Sequence, residues 1–105
     1  MCGVVGLLNR QNKDGNRHLV MKMTDSLQHR GPDASRVWSD DNVALGHSRL
    51  SMLDLSVDAN QPMASDCGRY VLVFNGEIYN YLELKKKLKK SCKTNSDTEV
   101  LLSFI

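Results

Sequence analysis

The sequence lacks any apolar stretch long enough to cross a membrane, and it lacks a secretory signal at its amino terminus. A membrane-spanning helix needs about 20 apolar residues in succession, whereas the apolar run that follows Cys2 ends at Leu8. No basic segment precedes that run, although a signal peptide would require one. We therefore expect a cytoplasmic protein.

Cysteine is scarce and is not arranged for a disulfide framework or a metal site. The chain has three cysteines, Cys2, Cys67 and Cys92, and an odd number without a signal argues against paired disulfides. None belongs to a CxxC pair, and the histidines have no metal-ligand spacing, so we expect no metal. A glycine-rich loop for a nucleotide is also missing.

Charge of one sign is not in excess, because the net charge is only +2 over 105 residues. This balance argues against a nucleic-acid surface, and the lysines between positions 85 and 90 are typical of the solvated face of a helix. A chain of this length is sufficient for one small core. It ends, however, inside an apolar helical pattern, from which we expect a truncated domain.

Strand patterns recur along the chain. The apolar run Gly3–Leu8 predicts a buried strand. Residues 35–39 and 43–48 predict a hairpin around an Asp-Asp-Asn turn. Residues 70–74 are all aromatic, β-branched or aliphatic and predict the strongest strand. Between these patterns, residues 54–68 have little periodicity and predict a long surface loop.

Helical patterns separate the strands, so the fold class is α+β. After a turn over residues 12–16, residues 17–28 predict a helix with Leu19, Met23 and Leu27 on its buried face, joined by Val20. Two further helices begin where Asn80 precedes Glu83 and where Ser96 precedes Glu99, at the spacing of a capping box. In the first of them, the shared apolar face consists of Tyr81, Leu84 and Leu88.

Cys2 is the strongest candidate for chemistry. Removal of Met1 would give Cys2 both a thiol and a free α-amine, whose reference pKa of about 7.7–8.0 leaves part of it neutral near pH 7. A neutral amine is a general base for the adjacent thiol, directly or through one water. The alternative is that cysteine stands at position 2 by chance.

Five further residues have the chemistry of a pocket for an amino acid. Asn75 and Gly76 follow the strongest predicted strand, where a side-chain amide and a backbone N–H could form an oxyanion hole; an ordinary Asn-Gly turn is the alternative. Arg49 has the geometry to bind a carboxylate, and Glu77 or Asp97 could bind an ammonium group. Arg49 could equally lie on the surface, and Asp97 could serve only the start of a helix.

Together and in this order, the motifs resemble the glutamine amidotransferase class whose nucleophile is an N-terminal cysteine. Residues 30–33 and 75–80 are most similar to the glutamine-hydrolysing asparagine synthetase branch. Sugar-modifying and natural-product relatives have similar motifs, so the ammonia acceptor stays open. The motifs are Cys-Gly-Val-Val-Gly at 2–6, His-Arg-Gly-Pro-Asp at 29–33, Gly-His-Ser-Arg-Leu-Ser at 46–51, Gln-Pro at 61–62, Asn-Gly-Glu-Ile-Tyr-Asn at 75–80 and Ser-Asp-Thr-Glu at 96–99.

The resemblance implies a role for each candidate residue. Cys2 would attack the side-chain amide of glutamine, and Asn75 and Gly76 would stabilise the oxyanion. The remaining residues would bind the substrate. Arg49 would hold its carboxylate, Glu77 and Asp97 its amino group, and Met52 and Leu53 would line the pocket mainly through their backbone.

The resemblance also implies a larger protein. Residues 1–105 would be the N-terminal portion of a glutaminase domain with an αββα sandwich of the N-terminal-nucleophile type. A synthetase domain would use the ammonia to make asparagine from aspartate, and only that domain would need ATP and Mg²⁺. L-glutamine would be the substrate, and a homodimer is possible. The alternative function is a catalytically inactive truncated fragment.

Overall fold

The computed structural model describes residues 2–9, 13–50 and 57–105, and it has the expected α+β composition. Its main sheet is antiparallel and consists of β1 (Gly3–Leu8), β2 (Ala34–Ser39) and β3 (Val43–Arg49). The central strand is β3, with β1 on one side and β2 on the other. The predicted first strand and the predicted hairpin are therefore confirmed as strands, but the predicted burial of β1 is wrong because β1 is an edge strand of the described sheet, on which Val4 and Leu8 are exposed.

Helix α1 (Lys13–Asp25) packs on one face of this sheet and contacts all three strands. Val5, Val20 and Ala44 form the buried core between them. The helix begins inside the region predicted to be a turn, of which Asn12 lies outside the described residues. It ends three residues before the predicted end, because turns occupy the stretch from Ser26 to Arg30.

The buried face of α1 differs from the predicted one. Val20 and Thr24 are buried, whereas Leu19 and Met23 are 47% and 38% exposed. The cause is Gly46 on β3: a Cβ there would lie 2.0 Å from Thr24 Oγ1 and 3.1 Å from Val20 Cγ1. The helix thus packs closely over a missing side chain. The Thr24 hydroxyl donates to the Val20 carbonyl at 2.7 Å, so its burial leaves no unpaired polar group.

The segment after the main sheet is more ordered than a surface loop. A 3-10 helix covers Val57–Ala59, and β4 (Met63–Ala64) pairs with β5 (Val71–Leu72) in a second antiparallel sheet. Gln61 and Met63 are buried, so the predicted surface loop is wrong at these positions; its first residues, 54–56, lie outside the described part. The strand predicted over residues 70–74 is shorter because β4 offers only two residues for pairing.

Helices α2 (Tyr81–Lys87) and α3 (Asp97–Phe104) follow and pack against each other. Ser96 caps α3 as predicted, because its Oγ accepts a hydrogen bond from Glu99 N–H at 3.2 Å. Asn80 stands at the N-cap of α2 but makes no side-chain capping bond, so that part of the prediction is wrong. The predicted apolar face of α2 is only half-buried.

Two other predictions, about the cysteines and about membrane-spanning helices, can be compared with the described residues. Cys2, Cys67 and Cys92 are free, as predicted. Among the helices in ranges 2–9, 13–50 and 57–105, none has the length and apolar character to span a membrane.

The turn between α1 and β2 fixes the end of β3. Gly31 approaches β3 so closely that a Cβ would lie 2.2 Å from the carbonyl oxygen of Ser48. Two residues later, the Asp33 N–H donates to the Arg49 carbonyl at 2.9 Å. A residue larger than glycine at position 31 would displace the end of β3. That end carries Ser48 and the candidate site residue Arg49.

Candidate functional site

The pairing of β1 with β3 places Cys2 beside the end of β3. Gly3 is opposite Ser48 in the register, so the residue before Gly3 reaches the chain just beyond Arg49. There the Leu50 N–H donates to Cys2 Sγ at 3.3 Å, and the thiol lies 3.6 Å from the Leu50 carbonyl oxygen as a donor. The backbone of Leu50 thus holds the sulfur of a half-buried Cys2 in place.

Arg49 is the last residue of β3 and extends from the face of the sheet opposite α1. Side chains alternate along a strand, and the neighbouring Ser48 faces α1, where its hydroxyl donates to the Thr24 carbonyl at 3.1 Å. The Arg49 side chain is buried, and its Nη1 donates to Oδ1 of Asn60. The side-chain amide of Asn60 thus helps to orient the guanidinium.

His47 lies two residues earlier on the same face and is almost completely buried, with 1% of its surface exposed. Neither ring nitrogen makes a hydrogen bond of good geometry. Burial lowers the pKa of His47 below its ordinary value, and the charge of Arg49 lowers this pKa further, although the nearby backbone of Phe74 opposes the change. The ring is consequently neutral at pH 7 and adds no positive charge beside Arg49.

Asn75, Gly76 and Glu77 form an exposed, irregular segment after the second sheet. Gly76 packs so closely on the ring of Phe74 that a Cβ would lie 2.8 Å from Phe74 Cζ. The Ile78 N–H, just beyond the segment, donates to Oδ2 of Asp97 at 2.9 Å. An exposed backbone between two anchored residues is suited to present N–H groups to a ligand.

Asp97 is the first residue of α3 and is buried. Its carboxylate lies at the positive end of the helix dipole, which stabilises negative charge. One carboxylate oxygen accepts the Ile78 N–H. Glu77, by contrast, is exposed. Asp97 therefore anchors the neighbouring segment as well as facing the cavity.

A single cavity of about 620 Å³ brings the candidate residues together. Its volume lies within the range of small-molecule sites. Met52 and Leu53, the other two predicted pocket residues, lie outside the described residues. The predicted residues that line the cavity are Cys2, Arg49, Asn75, Gly76, Glu77 and Asp97.

Several lining residues were not predicted from the sequence. His47 had been considered only for metal-ligand spacing, and within the described ranges no group of three potential ligands is close enough to hold a metal ion. Gln61 and Thr98 also line the cavity. Gln61 belongs to the motif at 61–62 and Thr98 to the motif at 96–99. The motifs therefore indicated that these two residues are important but did not predict a role for either.

The chain belongs to the glutamine amidotransferase domain family, whose pattern matches residues 1–105. It is 40% identical over 110 residues to the glutamine-hydrolyzing asparagine synthetase 1 of Bacillus subtilis, a match that covers 98% of this chain and 17% of the relative. It is 34% identical over 107 residues to the glutamine-hydrolyzing asparagine synthetase B of Escherichia coli, covering 99% and 19% respectively.

A relative with a different name is similar over a shorter range. The amidase chry2 of Gibberella zeae is 45% identical over 84 residues, which cover 76% of this chain and 12% of the relative. The chain thus spans less than a fifth of the length of each of these relatives. The family is established by these matches.

Proposed function

We propose that this chain forms the nucleophile-bearing part of a site that hydrolyses the side-chain amide of glutamine to glutamate and ammonia. The observation that carries the proposal is the shared cavity, which holds Cys2 together with Arg49, the Asn75–Gly76 segment and Asp97. A thiol, a cation, an oxyanion-hole candidate and a carboxylate are the groups that attack on an amino-acid amide requires.

The reaction begins at Cys2 after Met1 has been removed. The free α-amine takes the proton of the thiol, and the sulfur attacks the amide carbon of glutamine. The side-chain amide of Asn75 and the N–H of Gly76 stabilise the oxyanion of the tetrahedral intermediate. The C–N bond then breaks, ammonia leaves with the transferred proton, and water releases glutamate from the γ-glutamyl thioester.

Substrate binding uses the opposite charges of the cavity wall. Arg49 binds the α-carboxylate, and its orientation by Asn60 fixes the direction of the guanidinium. Asp97 and Glu77 bind the α-ammonium group, and Met52 and Leu53 complete the pocket through their backbone. Asp97 keeps acceptor capacity for this role because an ionised carboxylate can accept several hydrogen bonds.

The parent protein is proposed to be a glutamine-hydrolysing asparagine synthetase, since relatives with that name match almost the whole chain. The glutaminase domain would then be an αββα sandwich of the N-terminal-nucleophile type. Ammonia would pass to a synthetase domain that uses ATP and Mg²⁺ to make asparagine from aspartate, whereas the glutaminase reaction needs no cofactor. The cytoplasmic location and the homodimer stay predictions.

An alternative acceptor of the ammonia stays open because sugar-modifying and natural-product relatives have similar motifs, and because one relative, the amidase chry2 of Gibberella zeae, has a name other than asparagine synthetase. In that case the ammonia would be transferred to a natural product or a sugar instead of aspartate. Assays of the parent polypeptide with glutamine and either aspartate or alternative acceptors would separate the two possibilities.

The experiment that tests the proposal is an intact mass measurement before and after incubation with an electrophilic glutamine analogue. We expect loss of Met1 and one adduct on Cys2. The variant Cys2→Ala should take no adduct and should lose glutamine hydrolysis, with Cys67→Ala as the control because Cys67 is exposed and outside the cavity. Retained hydrolysis in Cys2→Ala would refute the mechanism.

A further inference from the structure

The segment Asn75–Glu77 is anchored at both ends by side chains. On one side the Ile78 N–H donates to Asp97, as described above. On the other side the Phe74 N–H donates to the side-chain oxygen Oε1 of Gln61. The residues between these two bonds are exposed and belong to neither a helix nor a strand.

Gln61 connects this segment to α3. Its Nε2 donates to Oγ1 of Thr98 at 3.2 Å, and Thr98 lies in the first turn of α3 beside Asp97. The Phe74 N–H can only donate, so the oxygen end of the Gln61 amide must face it and the NH₂ end must face Thr98. Both Gln61 and Thr98 are buried, with 7% and 5% of their surface exposed.

The two anchors therefore converge on the same helical turn. Asp97 holds Ile78, and Thr98 holds Phe74 through Gln61. A carboxamide is suited to the second connection because it accepts at one end and donates at the other. A side chain of similar length without these groups would leave the part-buried Phe74 N–H without this acceptor, which would favour a shift of the backbone at Phe74.

We propose that Gln61 is a positioning residue for the oxyanion hole. Its carboxamide fixes Phe74 relative to α3, so that Asn75 and Gly76 stand where the oxyanion develops. This inference rests on the proposed glutamine hydrolysis. Displacement of catalytic groups by about 1 Å can reduce a rate by about 100-fold, and the loss of one oxyanion donor typically reduces it by about 100- to 1000-fold.

The test compares Gln61→Met with the wild-type chain; if the 105 residues belong to a longer polypeptide, the variants are made in that polypeptide. We expect Gln61→Met to lower kcat for glutamine hydrolysis by about 10- to 100-fold while the KM changes by less than about 3-fold, since the contacts to the substrate ends are kept. The control is Gln28→Met, which replaces an exposed glutamine outside the cavity.

A second pair of variants covers the case in which Gln61→Met fails to fold. Thr98→Val removes the acceptor of the Gln61 amide and should lower kcat in the same direction, whereas Thr98→Ser restores a hydroxyl and should recover most of the loss. A purely structural role would reduce the number of folded molecules, which titration with the electrophilic analogue counts, without changing kcat per labelled site.

Amide hydrogen exchange gives a readout that does not depend on turnover. The Phe74 amide should exchange faster in Gln61→Met than in the wild-type chain, and the Gly76 amide signal should shift. Unchanged exchange at Phe74, or an unchanged kcat in a folded Gln61→Met, would overturn the inference. Absence of glutamine hydrolysis in the wild-type polypeptide would instead refute the proposed function.

Discussion

At the scale of single residues, Arg49 shows how the sheet prepares a charge for a ligand. It ends β3, it is buried, and a neutral amide from Asn60 orients it. His47 below it is neutral because burial lowers its pKa. The described part of the cavity wall therefore carries an oriented guanidinium, where a substrate carboxylate would bind under the proposed function.

We predict that Arg49→Ala raises the KM for glutamine by about 10- to 150-fold with a smaller change in kcat, since a hydrogen bond to a charged group contributes about 1.5–3 kcal/mol. Steady-state kinetics of glutamine hydrolysis measures this. Asn60→Ala is the matched control, because it removes the orienting amide but leaves the cation, and its effect on KM should be smaller. An unchanged KM in Arg49→Ala would remove Arg49 from the pocket.

At the scale of secondary-structure elements, the sequence correctly predicted the positions of strands, which depend on neighbouring residues in the chain. The prediction failed for features that depend on contact with a residue distant in the chain. The strands Gly3–Leu8 and 43–48 have patterns that local sequence specifies, and β1 and β3 are where they were expected. The buried face of α1 is set by Gly46 on another element. The length of β5 is set by its partner β4, which no pattern within residues 70–74 reveals.

The candidate site also has features that local sequence predicts and features that depend on contacts between distant residues. Six predicted residues line the cavity, and each belongs to a motif that is continuous in the sequence, while their roles stay predictions. The role of Gln61 could not be predicted, because its bonds to Phe74 and Thr98 join positions 13 and 37 residues apart. Only the folded chain brings these groups into contact.

The close packing of α1 on β3 leads to a prediction for Gly46. Gly46→Ala should lower the free energy of unfolding by about 1–3 kcal/mol, because the new methyl group would overlap the Thr24 hydroxyl. Urea denaturation measures the change. Gly6→Ala is the control on the adjacent strand, where a Cβ would meet only Leu45 at an ordinary 3.5 Å. Equal effects of the two substitutions would contradict this account.

The two later helices offer a matched comparison of caps. Ser96→Ala should destabilise the chain by about 0.5–2 kcal/mol, since the Glu99 N–H would lose its acceptor. Asn80→Ala should cost less, because the Asn80 side chain makes no capping bond to α2. Thermal or urea unfolding of both variants measures which substitution causes the larger loss of unfolding free energy. A larger loss of stability in Asn80→Ala than in Ser96→Ala would be inconsistent with the observed caps.

At the scale of the whole molecule, acid should destabilise the fold through His47. Its pKa is about 6.5 in the unfolded chain and lower in the folded chain, chiefly because of burial. Stability is independent of this group above pH 6.5, and it falls at lower pH because the unfolded chain then binds more protons. The fall continues until the pH reaches the folded-state pKa, with a slope of at most about 1.4 kcal/mol per pH unit.

Unfolding free energies measured between pH 7 and pH 5 test this expectation. His47→Gln should reduce the slope in this window relative to the wild-type chain. His29→Gln, a substitution of an exposed histidine, is the control for the change of residue type. Identical slopes for wild type and His47→Gln would show that His47 is not the group responsible.

The cavity wall joins segments that are far apart in the chain, and this separation has a consequence for synthesis on the ribosome. Cys2 emerges first, whereas its backbone partner Leu50 and the anchor Asp97 follow much later. At about 5–20 residues per second, the interval between Cys2 and Asp97 is roughly 5–20 s. During that interval Cys2 is on the growing chain without the later segments of the cavity wall beside it. Under the proposed mechanism, removal of Met1 in this interval would precede assembly of the cavity, and the thiol would gain its reactivity only afterwards.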